Sequence, residues 1–112
     1  MPDVSDEFDV AVSLGSSTPT IAVTGELDLA TCPRLAGSLD TVVDAGTGDV
    51  LVDLSRVTFL DSTALTVLVT YRQRLASAGR HLVVHQPSPV VVRVLTISGL
   101  LDAFVGQAFD AD

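Results

Sequence analysis

A single α/β domain is what this chain predicts, with a mostly parallel central sheet, an antiparallel hairpin at its N-terminal edge and helices packed against it. Three observations carry that prediction. Short apolar stretches of period two alternate with longer ones whose apolar residues recur at three and four, giving the order β-β-α-β-α-β-α. At 112 residues and 47% hydrophobic content, the chain has enough apolar surface for one core and too little length for two. With no Trp and 4% aromatic residues, that core is built from Val, Leu, Ile and Ala, which suits strands covered by helices. The domain is expected to span residues 1–112, with an ordered core over about 6–105.

Phe8, Val10, Val12 and Leu14 alternate with Asp9, Ala11 and Ser13, the pattern of a strand with one buried face. Gly15-Ser16-Ser17-Thr18-Pro19 turns the chain into a second strand, Thr20–Thr24, and a loop this short permits an antiparallel hairpin. Gly25-Glu26-Leu27-Asp28 ends that strand. Thr31-Cys32-Pro33 reads as a helix start, after which Leu35, Leu39, Val42 and Val43 share a face until Asp44–Gly48 stops the helix. Val50–Leu54 is apolar on both faces apart from Asp53, as expected of a central strand covered on two sides. From Ser62 onward, the β-branched run Thr66–Thr70 admits a strand by propensity alone. Length and end signals select a helix: Leu65, Leu68, Val69, Leu75 and Ala76 share a face, Arg72 and Arg74 sit towards the C-terminal end, and Gly79 follows as a cap. His81–His85 is a strand. Ser88 and Pro89 open a third helix as N-cap and first-turn proline, continuing through Val91, Val94 and Leu95 to Ser98-Gly99. Leu100–Asp112 is expected to form a turn or short strand around Ala103–Val105 and then a frayed end. The two strand-helix-strand crossovers make the rest of the sheet parallel.

A formal charge of −8 argues against nucleic acid or an anionic membrane as partner, because both demand a basic footprint. All six basic residues are Arg, which removes Schiff-base, P-loop and receiver-domain chemistry that depends on lysine. No apolar run reaches the roughly 18 residues of a membrane span. The acidic stretch Met1–Phe8 is unlike a secretory signal, so a cytoplasmic location is expected. Cys32 stands alone, excludes an intrachain disulfide and a multi-Cys zinc site, and reads as a small core residue. His81 and His85 face the same side of one strand and read as solvated or hydrogen-bonded rather than as half a metal site. Ser62 is outside any Gly-x-Ser-x-Gly pattern and the histidines stand in no recognisable orienting-partner pattern, so the sequence shows no hydrolase triad. No metal, cofactor or catalysis by the chain itself is expected.

In parallel α/β sheets, ligands and partners meet the protein beyond the carboxyl ends of the strands. Asp61-Ser62 falls there. Either residue can act as helix N-cap, and that role alone explains the pair. The other reading is reversible phosphorylation of Ser62. A phosphate adds about −1.5 to −2 charge, which the helix N-terminus favours by about 0.3–1 kcal/mol. Inside a protein contact the same group is desolvated, and an unpaired buried polar group already costs about 1–3 kcal/mol, with charged groups costing more. Binding therefore responds to the modification far more than stability does.

The run Phe59-Leu60-Asp61-Ser62-Thr63-Ala64-Leu65 resembles the signature of anti-anti-sigma factors, the bacterial STAS domains, in which an aromatic and an aliphatic residue precede Asp-Ser-Ser/Thr-Gly-Leu. Gly25-Glu26-Leu27-Asp28-Leu29-Ala30-Thr31, Asp53-Leu54-Ser55, Pro87–Leu95 and Ser98-Gly99-Leu100-Leu101 resemble the family at its spacings, so the likeness covers essentially the whole chain. It implies a STAS-type domain acting as a binding module without catalysis, an anti-sigma factor antagonist. In the family the unmodified domain binds an anti-sigma factor that is also a serine kinase, which frees a sigma factor for transcription. The kinase then phosphorylates the Ser after Asp and breaks the contact, and a phosphatase resets the switch. Carried over residue by residue, Ser62 is the phosphorylated residue, Asp61 orients the site, and Thr63 is a weaker acceptor. Gly25, Glu26 and Asp28, together with Asp61, Ser62, Thr63, Ala64 and Thr66, then form the docking face. The family commonly has Gly at Ala64 and, less strictly, at Thr66, and the extra methyl groups are expected near the face a kinase approaches. An alternative inside the same resemblance is a STAS adaptor subunit of a lipid-transport ATPase or signalling assembly, docking through the same helix without phosphorylation.

Overall fold

The computed structural model describes residues 8–15 and 18–106. The apolar alternation at the start of the chain does form the expected hairpin: β1, Asp9–Ser13, runs antiparallel to β2, Thr20–Leu27. Val10 lies opposite Val23 and Val12 opposite Ile21, which keeps the apolar set on one face and fixes the register. The Ser16-Ser17 part of the expected turn, residues 6 and 7 of the expected ordered core, and the frayed end beyond residue 106 lie outside the described residues.

After β2 come α1, Cys32–Ala45, β3, Val50–Leu60, α2, Ser62–Ser77, β4, Leu82–His85, and α3, Pro89–Ile97. A π-helical segment, Asp102–Gly106, closes the described chain. The sheet order is β1-β2-β3-β4, with β2, β3 and β4 mutually parallel. The strand-helix order is thus the one that the hydrophobic periodicity predicts. Of the two forms expected at Ala103–Val105, turn or short strand, the chain takes the coiled one, and it buries Phe104 completely.

Three expectations are corrected by packing. β3 was expected to be covered on both faces, yet only Val50, Val52 and Leu54 are fully buried while Leu51 and Asp53 are half-exposed. The same one-sidedness holds on β2, where Ile21, Val23 and Leu27 are buried and Thr20, Ala22 and Thr24 are not. The helices therefore close one face of the sheet and leave the other open. Second, both β2 and β3 outrun their predicted ends, because Val57 and Leu60 still reach the core and Gly25, at φ 102°, absorbs an irregularity in the β2–β3 ladder. Third, the buried stripe of α2 is Ala64, Leu68, Tyr71 and Leu75, so the helix is rotated from the predicted face and Ala76 is exposed.

Helix ends are fixed by identifiable groups. Gly79 (φ 73°) and Gly99 (φ 75°) follow α2 and α3 in the left-handed region. Around them the Arg80 N–H reaches the Leu75 carbonyl at 2.8 Å and the Leu100 N–H reaches Leu95 at 2.8 Å, which completes a Schellman motif at each end. Arg80 also donates from Nε to the Gly48 carbonyl in the loop before β3 (2.8 Å) and from its guanidinium to the Val43 carbonyl (3.1 Å), one that the last turn of α1 leaves open. Ser88 precedes α3 as expected, but its hydroxyl does not cap the helix. Buried, it donates to the Val57 carbonyl at 2.6 Å and ties the start of α3 to β3.

Candidate functional site at the carboxyl ends of β2 and β3

Leu27 and Leu60 are paired at the ends of two parallel strands, and the Asp61 N–H donates to the Leu27 carbonyl at 3.2 Å. This bond carries the ladder one residue past β3 and sets the phase of α2. Asp61, not Ser62, is therefore the N-cap: its backbone is extended and its carboxylate accepts the Ala64 N–H at 3.1 Å. Ser62 becomes the first helical residue. It is exposed, and its hydroxyl stands outside the hydrogen bonds among the described residues, while its carbonyl accepts the Thr66 hydroxyl at 2.9 Å. The sequence alone leaves the cap open between the two residues, because both types accept a backbone N–H equally well.

On the β2 side, Asp28 and Thr31 build a locked turn. The Asp28 carboxylate accepts the N–H groups of Ala30 (3.0 Å) and Thr31 (3.1 Å). The Thr31 hydroxyl accepts the Asp28 N–H at 2.9 Å and spends its single proton on the Glu26 carbonyl at 2.7 Å. Asp28 and Asp61 converge on the buried Cys32, whose thiol pKa is pushed up first by burial and then by those two charges. Such a thiol stays protonated and unreactive, so Cys32 is the core residue the sequence implies.

The expected site residues divide by exposure. Glu26, Ser62 and Thr66 are exposed, and Asp28, Asp61 and Thr63 are half-exposed around the same strand ends. Gly25 is buried, and Ala64 is 0% exposed. The expectation that the Ala64 methyl stands at the approach face is thus corrected: it points into the core as the first residue of the buried stripe of α2. Two residues absent from the expected set emerge here, Leu29 in the locked turn and Phe59 opposite Glu26, both large, apolar and exposed. The signal for Leu29 was present in the sequence as an apolar residue inside an otherwise polar turn.

Elsewhere, His81 pairs through Nδ1 with Asp49 at 3.1 Å, and both side chains are about half exposed. No three potential ligands converge on a metal site among the described residues, and no described helix is long and apolar enough to cross a membrane.

A one-sided β-β-α-β-α-β-α domain with a capped, hydroxyl-bearing helix start at the strand ends is the architecture of a STAS domain, and the chain belongs to that family: the family model described as "Mlab, STAS domain" matches residues 10–106. Among curated proteins, the chain is 35% identical over 82 residues to the anti-sigma-B factor antagonist of Staphylococcus epidermidis, covering 73% of this chain and 76% of that one. Among solved structures, it is similar to an anti-sigma factor antagonist from Mycobacterium paratuberculosis, with a TM-score of 0.73, 28% identity and coverage of 88% of this chain and 84% of that one. It is also similar to the anti-sigma factor antagonist SpoIIAA in its unphosphorylated form, with a TM-score of 0.72, 25% identity and coverage of 92% and 95%.

Proposed function

We propose that this protein is an anti-sigma factor antagonist working by partner switching. Unmodified, it binds an anti-sigma factor that is also a serine kinase and so releases a sigma factor in the cytoplasm. The observation that carries the reading is the state of Ser62: exposed, at the first position of a helix whose cap is already supplied by Asp61. Its hydroxyl is free of structural duty. In the transfer, Ser62 Oγ bonds to the γ-phosphorus of ATP held by the kinase, the bond from that phosphorus to the bridging oxygen breaks, ADP leaves, and the hydroxyl proton passes to a base of the kinase. A phosphatase reverses the step by hydrolysis, releasing inorganic phosphate.

The charge introduced is compatible with the helix N-terminus and hostile to a desolvated contact with Glu26, Asp28 and Asp61 nearby. The names of the relatives support the antagonist role, and the existence of a described unphosphorylated form of SpoIIAA supports phosphorylation as the relevant variable. The alanine at position 64 is no obstacle, since its methyl is in the core. A constitutive adaptor would use the same face, and the family model's description as "Mlab, STAS domain" is the observation on its side.

Incubation with the cognate anti-sigma factor and ATP distinguishes the two. The switch places one phosphate on Ser62, read by peptide mass spectrometry, and Ser62→Asp abolishes binding. Label on a different residue, or binding indifferent to Ser62→Asp, favours the adaptor.

A further inference from the structure

The polar groups around Ser62 leave two large apolar side chains without a role. Leu29 is 73% exposed at the tip of the turn between β2 and α1, and Phe59 is 46% exposed where β3 pairs with Glu26. They belong to one end of the molecule, because Leu29 follows Leu27, and Leu27 is paired with Leu60, the neighbour of Phe59. Neither is among the buried residues of the core. The turn at Leu29 is held by Asp28 and Thr31, so a polar residue would serve there. Phe59 is 46% exposed, and its cross-strand neighbour is the exposed Glu26. Water contact at such side chains gives up burial that would have stabilised the fold.

Leu29 is also held still. Its turn is locked by the hydrogen bonds of Asp28 and Thr31, so little freedom of its backbone remains to be lost on docking. Charge identifies the occupant. Glu26, Asp28 and Asp61 ring this end, and the sequence has no Arg between residues 20 and 33 or between 57 and 71. Two apolar side chains in an acidic rim complement an apolar pocket edged with Arg or Lys. A second copy of this chain, with net charge −8, offers the opposite of that chemistry.

We propose that Leu29 and Phe59 are the apolar anchors of the interface with the anti-sigma factor, inserting into a pocket on that protein rimmed by basic residues. The assignment rests on the proposed function and divides the labour within it. The anchors provide affinity and Ser62 provides control.

The test is calorimetric titration of Leu29→Ala, Phe59→Ala and the gentler Phe59→Leu with the cognate anti-sigma factor, each variant checked for an unchanged melting temperature by circular dichroism. The alanine variants are expected to bind about 10–100-fold more weakly, with Phe59→Leu intermediate. Phosphorylation of Ser62 should show a raised KM at unchanged kcat, as loss of uniform binding requires. Wild-type affinity should fall as salt is raised, because the rim is charged. Binding within twofold of wild type by both alanine variants, with Ser62→Asp still unable to bind, overturns the anchors and leaves the switch standing. A wild-type protein that is neither bound nor phosphorylated overturns both. A wild-type dimer that Leu29→Ala dissociates at unchanged anti-sigma affinity assigns the pair to a second copy and likewise overturns the proposal.

Discussion

Asp61 caps α2 while the neighbouring Ser62 hydroxyl makes no hydrogen bond among the described residues, and the difference is measurable. Asp61→Ala removes the carboxylate that accepts the Ala64 N–H and is expected to lower stability by about 0.5–2 kcal/mol in urea unfolding, while Asp61→Asn retains an acceptor and most of that stability. Ser62→Ala should leave stability nearly unchanged, since the hydroxyl makes no bond the fold uses. Two residues on, Ala64→Gly is expected to destabilise by about 1 kcal/mol through helix propensity alone, with a further loss from the buried methyl. Because that methyl faces the core, affinity for the anti-sigma factor should not change. Ser88→Ala strands the Val57 carbonyl and should cost about 1–3 kcal/mol. The sequence marks Asp61-Ser62 as a helix start, but not which residue caps, because the phase depends on the Asp61–Leu27 bond between distant segments. Nor does it reveal the burial of Ala64, whose single methyl is too small to stand out in a hydrophobic pattern.

At the level of elements, α1 and α2 are joined by a polar clamp that periodicity does not predict. Tyr71 donates its hydroxyl to the Asp40 carboxylate at 2.6 Å, and Arg74 approaches the same oxygen at 3.2 Å. Asp40 is held below the usual carboxylate range, first by the Tyr71 hydrogen bond and then by Arg74. Tyr71 is raised, first by burial and then by Asp40. A depressed carboxyl contributes stability that is present above its unfolded pKa near 3.9 and lost as the pH falls through its folded value. A raised phenol contributes stability present below about pH 10 and lost as the pH rises through its folded value. Melting temperatures of wild type and Tyr71→Phe should therefore differ near pH 6 and converge as the pH drops below about 4. The glycine caps behave differently: Gly79→Ala and Gly99→Ala place a side chain at positive φ and should each cost about 1–2 kcal/mol at any pH. Both caps were legible, since Gly after a periodic run is a local signal. The full length of β3 was not, because Ser55-Arg56 and Thr58 read as a loop until Val57 and Leu60 find the core.

Over the whole molecule, the sheet is covered on one face and Ser62 sits at its end rather than within the core. Among the described residues, every large fully buried side chain belongs to one continuous cluster. Ser62 adds nothing to that cluster, so under the proposed switch a phosphate there is expected to leave the domain folded while altering what it binds. The chain order, the hairpin and the helix start at Asp61-Ser62 were readable because they follow from periodicity and caps, whereas the proposal of Ser62 as a switch rests on the family resemblance. The open face was not, because Leu51 and Val83 are apolar residues that a sequence cannot assign to core or surface. The most direct test of the account is the affinity of the cognate anti-sigma factor for the protein before and after stoichiometric phosphorylation of Ser62, with melting temperature recorded on both samples. Desolvating a charged phosphate against an acidic rim costs several kcal/mol, so affinity should fall by about 100-fold or more. The melting temperature should stay within a few degrees. Equal affinity of the two forms, or a phosphorylated form that binds less only because it has unfolded, would contradict the account.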